Sequence, residues 1–145
     1  MSISDKTFTI LADLLVQNTP TSSNSRRAFE SYKLGLSKQS DGDYATAFKL
    51  YQEALLFDCD PFSRSYIFYN LGILYANLNQ NKKSLLFFNQ SLALNPLNPS
   101  SLNNAAVLYY KLNELENAEL YWKEAVRLAP YQYPEAQNWL LLRDT

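Results

Sequence analysis

The stretch Asn70-Leu71-Gly72-Ile73-Leu74-Tyr75, followed by Ser84-Leu85-Leu86-Phe87-Phe88-Asn89-Gln90-Ser91 and closed by Pro96, is repeated in character 34 positions later. There it reads Asn104-Ala105-Ala106-Val107-Leu108-Tyr109, then Ala118-Glu119-Leu120-Tyr121-Trp122-Lys123-Glu124-Ala125, then Pro130. Seven positions keep the interval: Leu71, Gly72, Tyr75, Ser84, Phe88, Ser91 and Pro96 become Ala105, Ala106, Tyr109, Ala118, Trp122, Ala125 and Pro130. A third copy lies upstream as Leu34, Gly35, Ala47, Tyr51 and Ala54, offset by 37 from Leu71, Gly72, Ser84, Phe88 and Ser91. The three extra residues fall most naturally in 58–63.

A period of 34 built on small and large residues is the signature of the tetratricopeptide repeat, a pair of antiparallel helices that stacks on its neighbours. Gly35, Gly72 and Ala106 mark where the first helix of each pair crosses the second, so nothing larger than a methyl fits there. Ala47, Ser84 and Ala118, with Ala54, Ser91 and Ala125 seven residues on, form the small stripe of the second helix. Tyr51, Phe88 and Trp122 between them supply the large knob, and small against large gives interdigitated packing. Gly42, Asn79 and Asn113 share one position between the paired helices, and both residue types tolerate a left-handed helix end. Pro96 and Pro130 close two second helices, while the first unit has Cys59 there and Pro61 after it.

The expected architecture is therefore all-α, a right-handed superhelix of three repeats, about 28–61, 65–98 and 99–132, within 26–132. The C-terminal part, 133–145, reads as a capping helix over Pro134–Arg143 with Ala136, Trp139 and Leu140 on one face. The N-terminal part, 1–25, reads as an amphipathic helix with Phe8, Leu11, Ala12 and Leu15 together, then a polar linker from Asn18 to Ser25. A lone helix of that length is marginal in water and must dock, either on the first repeat as a cap or on a membrane or partner as an anchor.

Composition narrows the function. Of 145 residues, 47% are hydrophobic and 19% charged, with a net charge of -1, which is globular and gives no long-range attraction to nucleic acid. There is no histidine and one cysteine, which removes most zinc sites, histidine acid–base chemistry and internal disulfides. Three scattered glycines cannot form a phosphate loop. The carboxylate pairs Asp41/Asp43, Asp58/Asp60 and Glu114/Glu116 fall at helix ends, where the helix dipole explains them. No cofactor, metal or catalytic residue is expected. No apolar run reaches the roughly 20 residues that cross a bilayer, so membrane contact is expected to be peripheral.

Binding remains. The eleven tyrosines offer large contact area with a polar tip, which suits a protein ligand. The repeat register points Phe29, Tyr32, Leu36 and Gln39, then Tyr66, Tyr69, Ile73 and Ala76, then Asn103, Val107 and Tyr110 toward the concave face. Some of them, Tyr69 above all, equally follow repeat consensus or pack against the N-terminal helix. Leu86 and Leu120, equivalent on second helices, form a convex contact stripe unless Phe87 and Tyr121 shield them. Repeat domains that clamp acidic chaperone tails use a Lys/Asn/Asn/Lys/Arg set, and the corresponding places here are Tyr32, Leu36, Asn70, Ser100 and Asn104. Only Asn70 fits, so the expected ligand is more apolar and less acidic than such a tail.

Several segments carry a closer resemblance, of which the N-terminal run and the C-terminal ending go beyond repeat consensus: Asp5-Lys6-Thr7-Phe8 with Ala12-Asp13, Asp60-Pro61 with Arg64-Ser65-Tyr66-Ile67, and Tyr69-Asn70 before Leu71-Gly72. To these add Asn103-Asn104, Tyr121-Trp122-Lys123 and Glu135-Ala136-Gln137-Asn138-Trp139-Leu140. Over nearly its whole length the chain resembles the photosystem I assembly proteins of the third hypothetical chloroplast reading frame. The resemblance implies a non-enzymatic assembly factor, similar to a chaperone, that binds unassembled photosystem I reaction-centre subunits together with other assembly factors. It implies a peripheral place on the stromal side of the thylakoid, in a chloroplast or a cyanobacterium, without nucleic acid. The short turn Tyr110–Leu115 lacks the insertion usual in the third repeat, which marks a divergent or shortened member. The alternative is a three-repeat secretion-type chaperone or a generic scaffold holding an apolar client segment.

Overall fold

The computed structural model describes residues 23–58 and 60–144, all of whose regular elements are helices. They are α1 (Ser23–Ser40), α2 (Tyr44–Phe57), α3 (Pro61–Asn77), α4 (Asn81–Leu94), α5 (Pro99–Lys111), α6 (Leu115–Leu128) and α7 (Pro134–Arg143). The expected N-terminal helix and Cys59 lie outside the described residues. Helices α1 and α2, α3 and α4, and α5 and α6 form the pairs; α2 packs on α3, α4 on α5, and α7 on α6. One expectation needs correcting: Ser23–Ser25, read as the end of a linker, form the first turn of α1.

The small and large positions behave as their chemistry demands. Tyr51, Phe88 and Trp122 are fully buried, and so are Ala47, Ser84, Ala118, Ala54, Ser91 and Ala125. The crossing at the glycines is tighter than the sequence suggests. A Cβ on Gly35 would stand 2.6 Å from the Tyr51 ring, and one on Gly72 2.7 Å from the Phe88 ring. Even a methyl is excluded at those two, whereas Ala106 carries one at the third.

Each pair closes the same way. Gly42 (φ 81°), Asn79 (φ 57°) and Asn113 (φ 62°) are left-handed. Their N–H groups donate to Gln39, Ala76 and Tyr110, and the next residues donate five positions back, to Lys38, Tyr75 and Tyr109. These paired bonds satisfy carbonyls that a helix end otherwise strands. Asp43, Asp60 and Asn98 cap α2, α3 and α5 by accepting from backbone N–H groups of the first turn. Pro61, Pro99 and Pro134 open their helices, where a missing N–H costs nothing.

The three extra residues of the first unit lengthen a helix and leave the loop short. α3 has 17 residues against 13 in α5, and its added N-terminal turn begins at Pro61. From that turn Arg64 donates to the carbonyls of Leu55 and Asp58, capping the end of α2.

Candidate functional site

The second helices are one-sided: α2, α4 and α6 bury a stripe at i, i+4 and i+7 and leave the opposite side in water. The first helices differ. α1 buries one face, Ala28, Ser31, Tyr32, Gly35, Leu36 and Gln39. α5 buries nine consecutive residues, Ser100 through Leu108, and α3 buries every residue from Ser65 to Leu74 except the half-buried Phe68.

This burial corrects the expectation of an open tyrosine-lined groove. Tyr32, Leu36, Gln39, Tyr66, Tyr69, Ile73, Asn103 and Val107 are all buried; Phe29 and Ala76 are half-buried; only Tyr110 is well exposed, at 41%. The physical reason is visible in their bonds. Asn70 Nδ2 donates to the Tyr32 hydroxyl at 2.8 Å, and one repeat on Asn104 Nδ2 donates to the Tyr69 hydroxyl at 3.3 Å. Tyrosine and asparagine thus form a ladder between successive first helices. The Tyr51 hydroxyl donates to Gln39 Oε1 at 2.7 Å, and Trp122 Nε1 donates to Asn103 Oδ1 at 3.1 Å. Burial pushes the Tyr32 and Tyr51 hydroxyls far above their ordinary range, and raises Tyr66 and Tyr133. They stay neutral hydrogen-bonding groups at any physiological pH.

One polar atom in this array has no donor: Asn70 Oδ1, fully buried. The orientation of the amide is set by its neighbours, because Nδ2 also faces the Tyr66 carbonyl at 3.0 Å and a carbonyl only accepts. Asn70 therefore presents an acceptor, which a carboxylate cannot satisfy. Asn70, the one position matching the acidic-tail clamp, has its donors committed within the stack.

At the C-terminal end Tyr110 packs on Trp122 and Trp139, with centroids 5.9 and 6.1 Å away, and Arg143 lies over Trp139 at 4.8 Å. Leu86 and Leu120 are unshielded, 56% and 67% exposed. Leu34 is also half exposed although its equivalents Leu71 and Ala105 are buried, because the first repeat has no repeat before it.

The sequence reading missed an apolar cavity of about 400 Å³ lined by Tyr44, Ala45, Phe48, Lys49, Leu74, Tyr75 and Leu78. Phe48 meets Tyr75 edge-on at 5.9 Å, and Tyr75 stacks on Phe87 at 5.3 Å. Tyr75 was visible as a repeated residue, but Phe48 and Tyr44 belong to the first unit alone and carry no periodic signal. Among the described residues no group of three or more Cys, Asp or Glu stands close enough to hold a metal ion, and no helix is long and apolar enough to cross a membrane.

The tetratricopeptide-repeat family matches residues 65–96 and 99–132. The chain is 45% identical to the photosystem I assembly protein Ycf3 of Rippkaea orientalis, over 94% of this chain and 87% of that one. It is 42% identical to the protein of the same name from Cyanophora paradoxa, with the same coverage. Both alignments run over 150 residues, more than the chain contains, so these relatives carry residues inserted within the shared region. Among solved structures, the first repeat domain of Spaghetti (RPAP3) bound to an HSP90 peptide superposes with a TM-score of 0.72 at 22% identity, covering 83% of this chain and 92% of that one. The translocator chaperone SycD of Yersinia enterocolitica superposes with a TM-score of 0.65 at 20% identity, covering 79% and 88%. At such identities these two establish the fold alone.

Proposed function

This chain belongs to the Ycf3 family of photosystem I assembly proteins, and from that premise we propose that it is a non-enzymatic assembly factor for photosystem I. It binds unassembled reaction-centre subunits through the concave side of its repeat stack, at the surface of the photosynthetic membrane. The observation that carries the reading is the identity to named assembly proteins over nearly the whole chain, beyond the part that repeat consensus explains. The chemistry of the site agrees with an apolar client. Tyr66, Ile73 and Val107 are concave-side apolar side chains that must be uncovered to meet a client, Tyr110 stands exposed at the end of the row, and Asn70 Oδ1 calls for an N–H or O–H. A client backbone amide provides that group, and an acidic tail does not. Leu86 and Leu120 form a second contact on the convex side. The factor shields an apolar client segment until its proper neighbour in the complex displaces it.

Affinity isolation from native membranes tests this, with the intact chain as bait. Photosystem I subunits or their assembly factors should co-purify, and replacing Tyr66 and Tyr110 with alanine should reduce their yield while the helical circular dichroism is retained. Recovery of neither subunits nor assembly factors would overturn the reading. A yield lost only on Leu86→Ser and Leu120→Ser would move the client to the convex side.

A further inference from the structure

The apolar cavity between the first and second repeats stands apart from the concave row. Its walls come from the start of α2 and the end of α3, and none of Tyr66, Ile73 and Val107 is among them. Those walls are held in place. Asn77 Nδ2 donates to the Tyr44 hydroxyl at 3.3 Å, Phe48 meets Tyr75 edge-on, and Phe87 of α4 stacks on Tyr75. The volume of about 400 Å³ lies within the roughly 300–1,000 Å³ of ligand pockets. Rings already fixed cost an entering side chain little reorganisation.

The next interface of the stack is built differently. The offset of 37 places Asn81, Lys82 and Leu85 where the first unit has Tyr44, Ala45 and Phe48, so two aromatic walls are missing there. Tyr109, the counterpart of Tyr75, is tied down instead. Its hydroxyl accepts from Asn89 Nδ2 at 3.2 Å, and its ring packs 5.0 Å from that of Tyr121, whose hydroxyl donates to Asn89 Oδ1. In place of Asn89 the first unit has the exposed Gln52.

The rim of the recess is positive. Lys49 is exposed at the wall, and the Lys83 ammonium lies over the Tyr75 ring, 5.6 Å from its centre. Neither makes a salt bridge among the described residues. Helix α4, which carries Lys83 in its first turn, has no acidic residue there and no capping bond from the Gln80 side chain. The carboxylate that Lys49 attracts is Asp43, and its Oδ1 is engaged with the Thr46 N–H at the start of α2.

We infer that this recess is a docking site for a second partner protein, one of whose surface segments inserts a large apolar side chain between Tyr44, Phe48 and Tyr75 and sets a carboxylate beside it, facing Lys49 and Lys83. Aromatic walls favour the inserted side chain, and ammonium groups without a salt bridge favour the carboxylate. A recess takes one projecting side chain, whereas a flat lipid surface would leave its floor unfilled. The site does not rest on the concave client reading, and a client and this partner use different faces of the stack.

The test titrates the methyl-labelled full chain with the amidated peptide Gly-Asp-Phe-Asp-Gly. The NMR signals of Ala45, Leu74 and Leu78 should shift and saturate with a Kd of about 1 mM or tighter, while that of Val107 stays in place. Analogues with Lys-Phe-Lys or Asp-Ala-Asp at the centre should bind about tenfold more weakly. The double change Lys49→Glu with Lys83→Glu should weaken the parent peptide as much, with circular dichroism unchanged because both side chains are exposed. No saturable shift at those three methyl groups, shifts led by Val107, equal binding of the three peptides, or indifference to the double change overturns the proposal. Signals that move with phosphatidylglycerol vesicles and not with the peptide, or on concentrating the chain alone, identify a membrane or a second copy as the occupant and overturn it as well.

Discussion

Gly72 shows how far one residue decides the packing. The Phe88 ring it faces is fully buried, so a methyl at 2.7 Å forces ring or helix to move. Gly72→Ala should cost about 1–3 kcal/mol, read as a lower midpoint in urea. The close approach was legible, because a glycine recurs as Gly35 and Gly72 and then as Ala106. Its tightness was not, because whether a methyl fits depends on the ring opposite. Tyr131 is the reverse case. It is left-handed at φ 70° and 88% exposed, and nothing in its sequence neighbourhood marks it as such. Tyr131→Gly should relieve strain and stabilise the chain by up to about 1 kcal/mol, measurable in the same denaturation series.

Among the elements, the turns were legible and the extra residues of the first unit were not. Gly42, Asn79 and Asn113 announce left-handed helix ends by residue type, and all three adopt them. An offset of 37 instead of 34 locates an insertion without saying whether it loops or coils. Asp60-Pro61 answers that in the structure: Asp60 Oδ2 accepts from the Ser63 N–H at 2.8 Å and starts a further turn. Asp60→Ala should cost about 1 kcal/mol and loosen the Arg64 bonds that finish α2, which faster amide exchange at residues 55–64 would show. The candidate site was half legible for a related reason. Repeat register tells which way Tyr66 or Val107 points but not what lies over it, and the ladder from Tyr32 to Asn70 joins residues 38 positions apart.

Across the whole molecule, ionisation behaves unusually simply. With no histidine in the chain, no side chain of ordinary pKa titrates between about pH 6 and 8, so stability should be nearly flat there. Tyr32, Tyr51, Tyr66 and Tyr133 are held above their ordinary range by burial, and Tyr121 is pushed up to about 12 by burial and by Tyr109 beside it. In the unfolded chain these phenols ionise near pH 10. Above that pH the unfolded state binds fewer protons than the folded one, so stability falls as pH rises. On the acid side Asp43 and Glu119 are lowered by their hydrogen bonds, and the stability they lend is lost as pH falls through their folded values. Melting temperature against pH should show a plateau from about pH 6 to 9 with an alkaline decline beyond about 10.

Trp122 and Trp139 are the only two tryptophans of the chain, and their rings stand 4.9 Å apart where α7 meets α6. All indole fluorescence therefore originates at one end of the stack. An emission melt reports the undocking of α7 and says nothing of the first repeat, while circular dichroism averages every helix. In a repeat array, where each unit holds only its neighbours, the two signals should separate if unzipping starts at the end that glows, and coincide if the stack opens as one.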